Sequence, residues 1–184
     1  MKIRRASWLL VCLAFLFIGC EGEEGPVGPQ GPPGTANVIY SDWFSPATWE
    51  LGSSFGVVER SYTMTTALLT QEIIDHGAVL VYVRFAGWSP AICQLPATVY
   101  STGQTYCFQF RAWEGNVKAY YYWMSSPASD PGILPPTNLV RYVLIPGGAL
   151  ATTARIAGIT PARLAGSLNS MSYSEVCGLF DIPE

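Results

Sequence analysis

Few residues of this chain combine the types and spacing that catalysis needs. His76 is the only histidine, and it lies between Asp75 and Gly77 at the predicted end of a helix. One histidine cannot complete a multi-histidine metal site, and no C-x-x-C pair is present for zinc or redox chemistry. We therefore expect no enzymatic activity, metal or cofactor, although two carboxylates could still meet in space as they do in glycosidases. The carboxylates show no paired spacing along the chain at Glu50, Glu59, Glu72, Glu114 and Asp130.

Cys93 and Cys107 are the two cysteines whose spacing could close a disulfide. They lie 14 positions apart on either side of a turn region that contains Pro96 and Gly103. A bridge there would contribute roughly 3 kcal/mol in the chain-entropy model. Cys177 lies on the apolar face of the last predicted helix, where a cysteine acts as a small buried apolar side chain. The sequence leaves open whether Cys93 and Cys107 are bridged or free.

The most aromatic stretch of the chain is Tyr120, Tyr121, Tyr122 and Trp123. In a strand, Tyr120 and Tyr122 point to one face, and Tyr121 and Trp123 point to the other. One pair can enter the core, and the other must be covered or face water. An exposed pair could stack on a ligand, such as the sugar rings of a glycan. The alternative is cross-strand aromatic packing, or cover from the long loop 125–138.

Residues 1–19 have the pattern of an export signal. Three basic residues precede an apolar run of 13 residues from Ala6 to Ile18, which is too short for a membrane-spanning helix of about 20 residues. Residues 17–20, Phe-Ile-Gly-Cys, resemble a bacterial lipobox, with Phe17 at the position where leucine is usual. The resemblance implies cleavage before Cys20, acylation of its sulfur and anchoring in a lipid bilayer. The alternative is an ordinary signal peptide in which Cys20 is incidental.

Residues 20–35 predict a stalk. Glu21, Glu23 and Glu24 follow Cys20, and this acidic cluster looks like the surface-export signal of Bacteroidetes-type lipoproteins, although a solvated linker would have the same composition. From Gly22 to Gly34 every third residue is glycine, with prolines between. Only glycine fits at the axis of a collagen triple helix. Residues 22–34 therefore either join three chains into a homotrimer or, as a single polyproline II segment, extend by about 3.1 Å per residue.

Composition limits the class of protein. The leader holds three of the ten basic residues, which leaves seven against thirteen acidic ones and argues against nucleic acid as a partner. Residues 36–184 suffice for one domain. Because 13% of the chain is aromatic and only 12% is charged, we expect this domain to be rich in β-structure.

Periodicity and capping signals predict the elements of that domain. The fold class is mainly β: a single antiparallel β-sandwich with short C-terminal helices. Gly77 fits a left-handed position after the first helix, and residues 146–148, Pro-Gly-Gly, fit a turn that ends a strand. Thr70, Thr160 and a Ser172–Glu175 capping box mark three helix starts. The predicted strands are 36–40, 57–68, 78–85, a hairpin over 106–123, and 139–145, and the predicted helices are 71–75, 162–168 and 173–180.

These features together resemble the collagen-like lipoproteins of Bacteroidetes and their relatives. The resemblance is carried by the lipobox, the Gly-X-Y run, and the segments 34–38, 71–82, 141–146 and 173–177. It implies a compact β-sandwich on a short stalk, attached to the outer membrane at the cell surface or on its periplasmic face. It implies no established activity. From the sequence as a whole we expect a structural or cell-envelope interaction protein, or alternatively an adhesin-like module that binds a glycan or an envelope protein through the aromatic residues of strand 117–123. The resemblance carries over no functional residue other than Cys20.

Overall fold

The computed structural model describes residues 37–88 and 91–184. The predicted leader and stalk, with Cys20, lie outside these residues. The described part is mainly β, with two antiparallel sheets and short helices. Its strands are β1 (Ile39–Tyr40), β2 (Glu50–Ser54), β3 (Val57–Thr65), β4 (Ala78–Arg84), β5 (Ile92–Gln94), β6 (Ala97–Ser101), β7 (Gln104–Trp113), β8 (Asn116–Trp123) and β9 (Leu139–Ile145). Its α-helices are α1 (Gln71–His76), α2 (Gly147–Ile156), α3 (Pro161–Leu168) and α4 (Tyr173–Phe180), and a 3-10 turn spans Ala86–Trp88.

The two sheets share one buried cluster of side chains. The four-stranded sheet has the order β1-β9-β4-β5, and the five-stranded sheet has the order β2-β3-β8-β7-β6. Both contribute to the inter-sheet cluster, which includes Trp49, Val81, Phe108, Tyr121 and Tyr142. The mainly β character with two antiparallel sheets confirms the coarse fold prediction.

Strand β4 is covered on both faces, as its nearly continuous apolar sequence predicts. It lies between β9 and β5 in the four-stranded sheet. Val81 and Val83 belong to the inter-sheet cluster, whereas Leu80 and Tyr82 belong to a second, helix-side cluster. The helices α2, α3 and α4 supply the other residues of the helix-side cluster, including Leu150, Leu164, Leu168, Val176 and Cys177.

The predicted hairpin over 106–123 is confirmed. Strands β7 and β8 pair from Tyr106 opposite Trp123 to Trp113 opposite Asn116. Gly115 has φ of +78° in the connecting turn, a conformation that glycine adopts without strain. The hairpin therefore fixes which residues of β8 share a face with which residues of β7.

Helix α1 begins as predicted, but the reason for the glycine that follows it is different. The Thr70 side chain accepts a hydrogen bond from the Ile73 backbone N–H, as expected of an N-cap. Gly77, however, is extended, with φ of −107°, so the predicted left-handed conformation is wrong. A Cβ at Gly77 would lie 2.3 Å from the carbonyl oxygen of Ile145. Glycine is needed there because two backbones pass too closely for any side chain.

The Pro-Gly-Gly sequence at 146–148 starts a helix instead of a turn. Pro146 is the N-cap of α2, and Gly147 is its first residue. A Cβ on Gly147 would lie 2.7 Å from the carbonyl oxygen of His76, so this glycine lets α2 pack against the end of α1. Helices α3 and α4 confirm the capping predictions, including both hydrogen bonds of the box formed by Ser172 and Glu175.

Candidate functional site

The four aromatic residues that end β8 lie on two faces of the five-stranded sheet. Tyr121 is 0% exposed and belongs to the inter-sheet cluster. Trp123 shares that face, where its ring packs against Tyr106 with a centroid separation of 6.3 Å. Tyr120 and Tyr122 alternate with them and lie on the opposite, outer face. The sequence predicts this alternation, and the structure identifies which pair faces the core.

The ring and the hydroxyl of Tyr121 are both in contact with neighbouring residues. Its ring centroid lies 5.0 Å from that of Trp49 and 5.2 Å from that of Phe108. Its hydroxyl donates a hydrogen bond to the Gly132 carbonyl at 2.7 Å and accepts one from the Leu134 N–H at 3.1 Å. Burial raises the pKa of Tyr121 to about 12. The loop 125–138 thus covers this ring, and no face of it is open to a ligand.

The loop 125–138 is itself anchored to the sheet. The carboxylate of Asp130 accepts two hydrogen bonds from Arg60, at 2.9 and 2.5 Å. The N–H of Val58 donates to the carbonyl of Pro127 at 2.6 Å. The hydrogen bond with Arg60 lowers the pKa of Asp130. The bidentate pair and the backbone bond hold the loop over the edge of the inter-sheet cluster.

The outer face of the five-stranded sheet carries a polar network beside Tyr120. Glu59 is 1% exposed, and its carboxylate accepts hydrogen bonds from Lys118 at 2.8 Å and from Arg111 at 3.3 Å. The Arg111 guanidinium lies 4.3 Å from the centroid of the Tyr120 ring, within the range of a cation–π contact. A second Arg111 nitrogen donates to the hydroxyl of Ser54 at 3.3 Å.

Tyr122 lies opposite Cys107 on the neighbouring strand. A hydrogen bond between the two side chains raises the pKa of Tyr122, and burial adds to this effect. Tyr120 and Tyr122 are both partly buried, and among residues 37–88 and 91–184 neither ring packs on another aromatic ring. We call Glu59, Arg111, Lys118, Tyr120 and Tyr122 the outer-face site.

Sequence reasoning missed Glu59, Arg111 and Lys118. A signal for two of them was present, because the predicted hairpin places Arg111 opposite Lys118, and Lys118 has the same parity as Tyr120 along β8. The position of Glu59 depends on the pairing of β3 with β8, strands that lie more than 50 residues apart in sequence.

The three described cysteines are free. They lie in three different packing environments. Cys93 packs against the inter-sheet cluster, whereas Cys107 lies on the outer face, 3.9 Å from the hydroxyl of Thr98. The structure therefore does not bring together the predicted disulfide pair. Cys177 packs in the helix-side cluster as predicted, and burial raises the pKa of both Cys93 and Cys177.

His76 is the last residue of α1, as predicted. Within the described ranges, no group of three or more His, Cys, Asp or Glu residues is placed to hold a metal ion. None of the helices in this same part of the chain is long and apolar enough to cross a membrane. Comparison with protein-family models, with curated proteins and with solved structures gives no match.

Proposed function

We propose that this protein is a membrane-anchored, surface-exposed lipoprotein with a structural or cell-envelope interaction role and no catalytic activity. Residues 36–184 would form one β-sandwich domain, and the contribution of both sheets to a single buried cluster supports this. The observation that carries the anchoring is the lipobox at residues 17–20, followed at once by the acidic and glycine-rich segment 21–34. The acylated Cys20 would anchor the domain in the membrane, and the acidic cluster that follows it would direct the protein to the outer membrane, facing the cell surface.

Lipid labelling tests the anchor. Cells that express the full chain are grown with a clickable palmitate analogue, and the labelled protein is compared with Cys20→Ser. Cys12→Ser is the matched control, because Cys12 lies within the apolar run of the leader. We expect labelling of the wild type and of Cys12→Ser and none of Cys20→Ser. Label that persists in Cys20→Ser would contradict the anchor at this residue.

Exposure at the cell surface has a separate test. The acidic residues Glu21, Glu23 and Glu24 are replaced together by glutamine, and protease is added to intact cells. If the cluster is an export signal, the wild-type domain is digested and the variant is protected. Equal digestion of both would make the cluster a solvated linker, and protection of both would place the protein on the periplasmic face.

The alternative function is an adhesin-like module that binds a glycan or an envelope protein through the aromatic strand. The observation that favours it is the outer-face site, where Tyr120 and Tyr122 lie away from the core beside Arg111 and Lys118. Aromatic rings supply a stacking surface, and charged side chains supply hydrogen bonds that orient a ligand. Tyr121 and Trp123, the other two predicted stacking residues, lie on the core side.

Binding of oligosaccharides and of purified envelope polysaccharide by Tyr120→Ala and Tyr122→Ala tests this alternative. Phe55→Ala is a matched control, because Phe55 is a fully exposed aromatic side chain at the tip of the β2–β3 hairpin. We expect at least about a tenfold loss of affinity in the tyrosine variants and none in the control. Equal affinity in all three would exclude the outer-face site as the stacking surface.

The homotrimer is a separate proposal that rests on residues 22–34 alone. Sedimentation of the fragment 21–184 is compared with that of a fragment that begins at Thr35. A trimer that becomes a monomer when the glycine run is removed would support assembly through that run. Two monomers would make it a spacer.

A further inference from the structure

Two arginines lie together on the helix-side face of the four-stranded sheet. Arg141 is directly opposite Tyr82 on the neighbouring strand, and Tyr82 belongs to the helix-side cluster. Arg84 is two residues beyond Tyr82 along β4, so it points to the same face. This face is separate from the outer-face site, which belongs to the other sheet.

Arg141 is a buried cation whose hydrogen-bond partners are all neutral. It is 4% exposed. Its Nε donates to the Ser41 carbonyl at 2.7 Å, and its Nη1 donates to the Tyr173 hydroxyl and to the Pro183 carbonyl. Within the described ranges its Nη2 has no hydrogen-bond partner, and Arg141 makes no ion pair. A buried charge is costly unless it is paired with an opposite charge. No described carboxylate forms an ion pair with this guanidinium.

A second guanidinium, that of Arg84, contacts the same tryptophan ring. The Arg84 guanidinium is 4.5 Å from the centroid of the Trp43 ring, and that of Arg141 is 5.8 Å from the same centroid. The Arg84 side chain is partly exposed, and it forms no hydrogen bond or ion pair with any described residue. The Nε1–H of Trp43 is buried and has no acceptor in the described part of the chain. The Arg84 guanidinium, Nη2 of Arg141 and the Trp43 Nε1–H are therefore donors without an acceptor among the described residues.

Two neighbouring side chains also carry polar atoms without hydrogen-bond partners in the described structure. The hydroxyl of Tyr82, which can donate to an anion, is also buried without a partner among the described residues. Oε1 of Gln94 is unpartnered too, but it is an acceptor and does not bind an anion. Gln94, Tyr82 and Arg141 are consecutive cross-strand partners on β5, β4 and β9. Asp42 and Glu184 adjoin this region along the chain, yet neither forms an ion pair with Arg84 or Arg141 in the described structure. Unsatisfied buried polar groups are rare in folded proteins, and here several of them lie in one region.

We propose that Trp43, Arg84 and Arg141 form a binding site for an oxyanion: the carboxylate, sulfate or phosphate group of a ligand. A guanidinium presents parallel N–H donors that match two oxygens of such a group. Arg84 and Trp43 are partly exposed and meet the solvent, whereas Arg141 supplies the buried charge. The ligand class differs from that of the outer-face site, since recognition here depends on negative charge.

The full-length chain in a non-ionic detergent is titrated with sodium sulfate, phosphate or acetate, with sodium chloride at matched ionic strength as the reference. The readout is the indole N–H signal of Trp43 in a two-dimensional nitrogen–proton spectrum, assigned with Trp43→Phe. We expect this signal to shift saturably with at least one oxyanion. Trp49 and Trp123 are internal controls, because their indole N–H groups are also buried and unpartnered but lie on the inter-sheet side. A Trp43 signal that does not move, or that moves equally with chloride, would overturn the proposal.

Arg84→Gln provides the second measurement. No side-chain hydrogen bond of Arg84 holds the described fold together, so we expect this variant to fold. Its affinity for the best oxyanion should fall by at least about tenfold, in line with the loss of a charged hydrogen bond. Arg155→Gln, at an exposed arginine at the end of α2, should bind like the wild type. Unchanged affinity in Arg84→Gln would contradict the site.

The three anions distinguish the sources of the ligand group. Preferential binding of acetate would point to a carboxylate, as in an acidic sugar or a peptide. Preferential binding of sulfate or phosphate would point to a tetrahedral anion, as in a sulfated glycan or a lipid headgroup. Either preference, when lost in Arg84→Gln, supports an oxyanion site, whereas binding of none of the three would exclude it.

Discussion

The two faces of the five-stranded sheet place tyrosine side chains in different surroundings. On the core face, Tyr121 is fully buried, and its hydroxyl makes two hydrogen bonds to the loop above it. On the outer face, the Tyr120 ring contacts the Arg111 guanidinium, and the Tyr122 hydroxyl is hydrogen-bonded with the Cys107 thiol. Consecutive tyrosines therefore cannot be read as one site, because the alternation of a strand places them on two faces, one packed in the core and one partly exposed.

Truncation of one tyrosine on each face should give the largest contrast. Tyr121→Ala removes a ring that contacts Trp49 and Phe108, and we expect it to lower the free energy of unfolding by about 3 to 5 kcal/mol. Tyr122→Ala, on the partly exposed face, should cost about 1 kcal/mol or less. Urea unfolding monitored by circular dichroism measures both. Similar losses in the two variants would show that both faces are core.

The charged network of the outer face should show the next largest effect. Lys118→Met leaves the carboxylate of Glu59, which is 1% exposed, with only the Arg111 contact at 3.3 Å. We expect a loss of about 2 kcal/mol, because a buried charge keeps its cost of desolvation when a partner is removed. Arg111→Met is the matched comparison, and it should cost less because the closer Lys118 partner at 2.8 Å remains. A larger loss in Arg111→Met would reverse the assigned roles.

Removal of a single hydroxyl sharpens the contrast further. Tyr121→Phe keeps the ring but leaves the Gly132 carbonyl and the Leu134 N–H without this partner. We expect a loss of about 1 to 2 kcal/mol and faster proteolysis within loop 125–138. Tyr120→Phe should be nearly neutral, and unfolding curves together with limited digestion by a protease of broad specificity, such as subtilisin, distinguish the two, because loop 125–138 contains no lysine, arginine or aromatic residue. A neutral Tyr121→Phe would mean that the loop is held by its other contacts.

The smallest effect concerns acid pH and the pair of Asp130 with Arg60. The pKa of Asp130 is lowered in the folded state, so its contribution to stability is present above the unfolded aspartate pKa of about 3.9 and is lost as the pH falls through the lower, folded value. Because the Asp130 side chain is 40% exposed, solvent screens the pair, and the effect is small. The melting temperatures of wild type and Asp130→Asn should differ slightly at pH 7 and converge below pH 4. A gap that persists at pH 2 would assign the difference to another cause.

Local signals in the sequence predicted the elements that depend on neighbouring residues. The Ser172–Glu175 capping box and the apolar segment 139–145 gave the bounds of α4 and β9, since both depend on residues within a few positions of each other. Strand β2 was missed because its sequence, Glu-Leu-Gly-Ser-Ser, lacks β-branched residues. It forms because β3 offers an edge for pairing.

Long-range contacts account for the errors and omissions. Gly77 and Gly147 are needed for contacts with Ile145 and His76, and neither contact can be read from local sequence. The alternation of β8 was predictable, but the choice of Tyr121 as the core residue depends on where the other sheet lies. Arg141 gave a signal that was overlooked, because a lone arginine within an otherwise apolar seven-residue strand, Leu-Val-Arg-Tyr-Val-Leu-Ile, demands a specific partner.

Arg141 also has a mechanical consequence. If the proposed stalk tethers the domain, tension would enter at the start of the domain, where the first described residues lead into β1, which runs antiparallel to β9. Backbone hydrogen bonds from Ser41 and Phe44 extend this pairing to Tyr142 and Val140. Because such bonds lie perpendicular to the strands, a force applied along β1 would load them in shear, all at once, instead of breaking them one after another. Arg141 fastens the same segment through the Ser41 carbonyl, so a domain tethered in flowing liquid would resist extraction of its first strand.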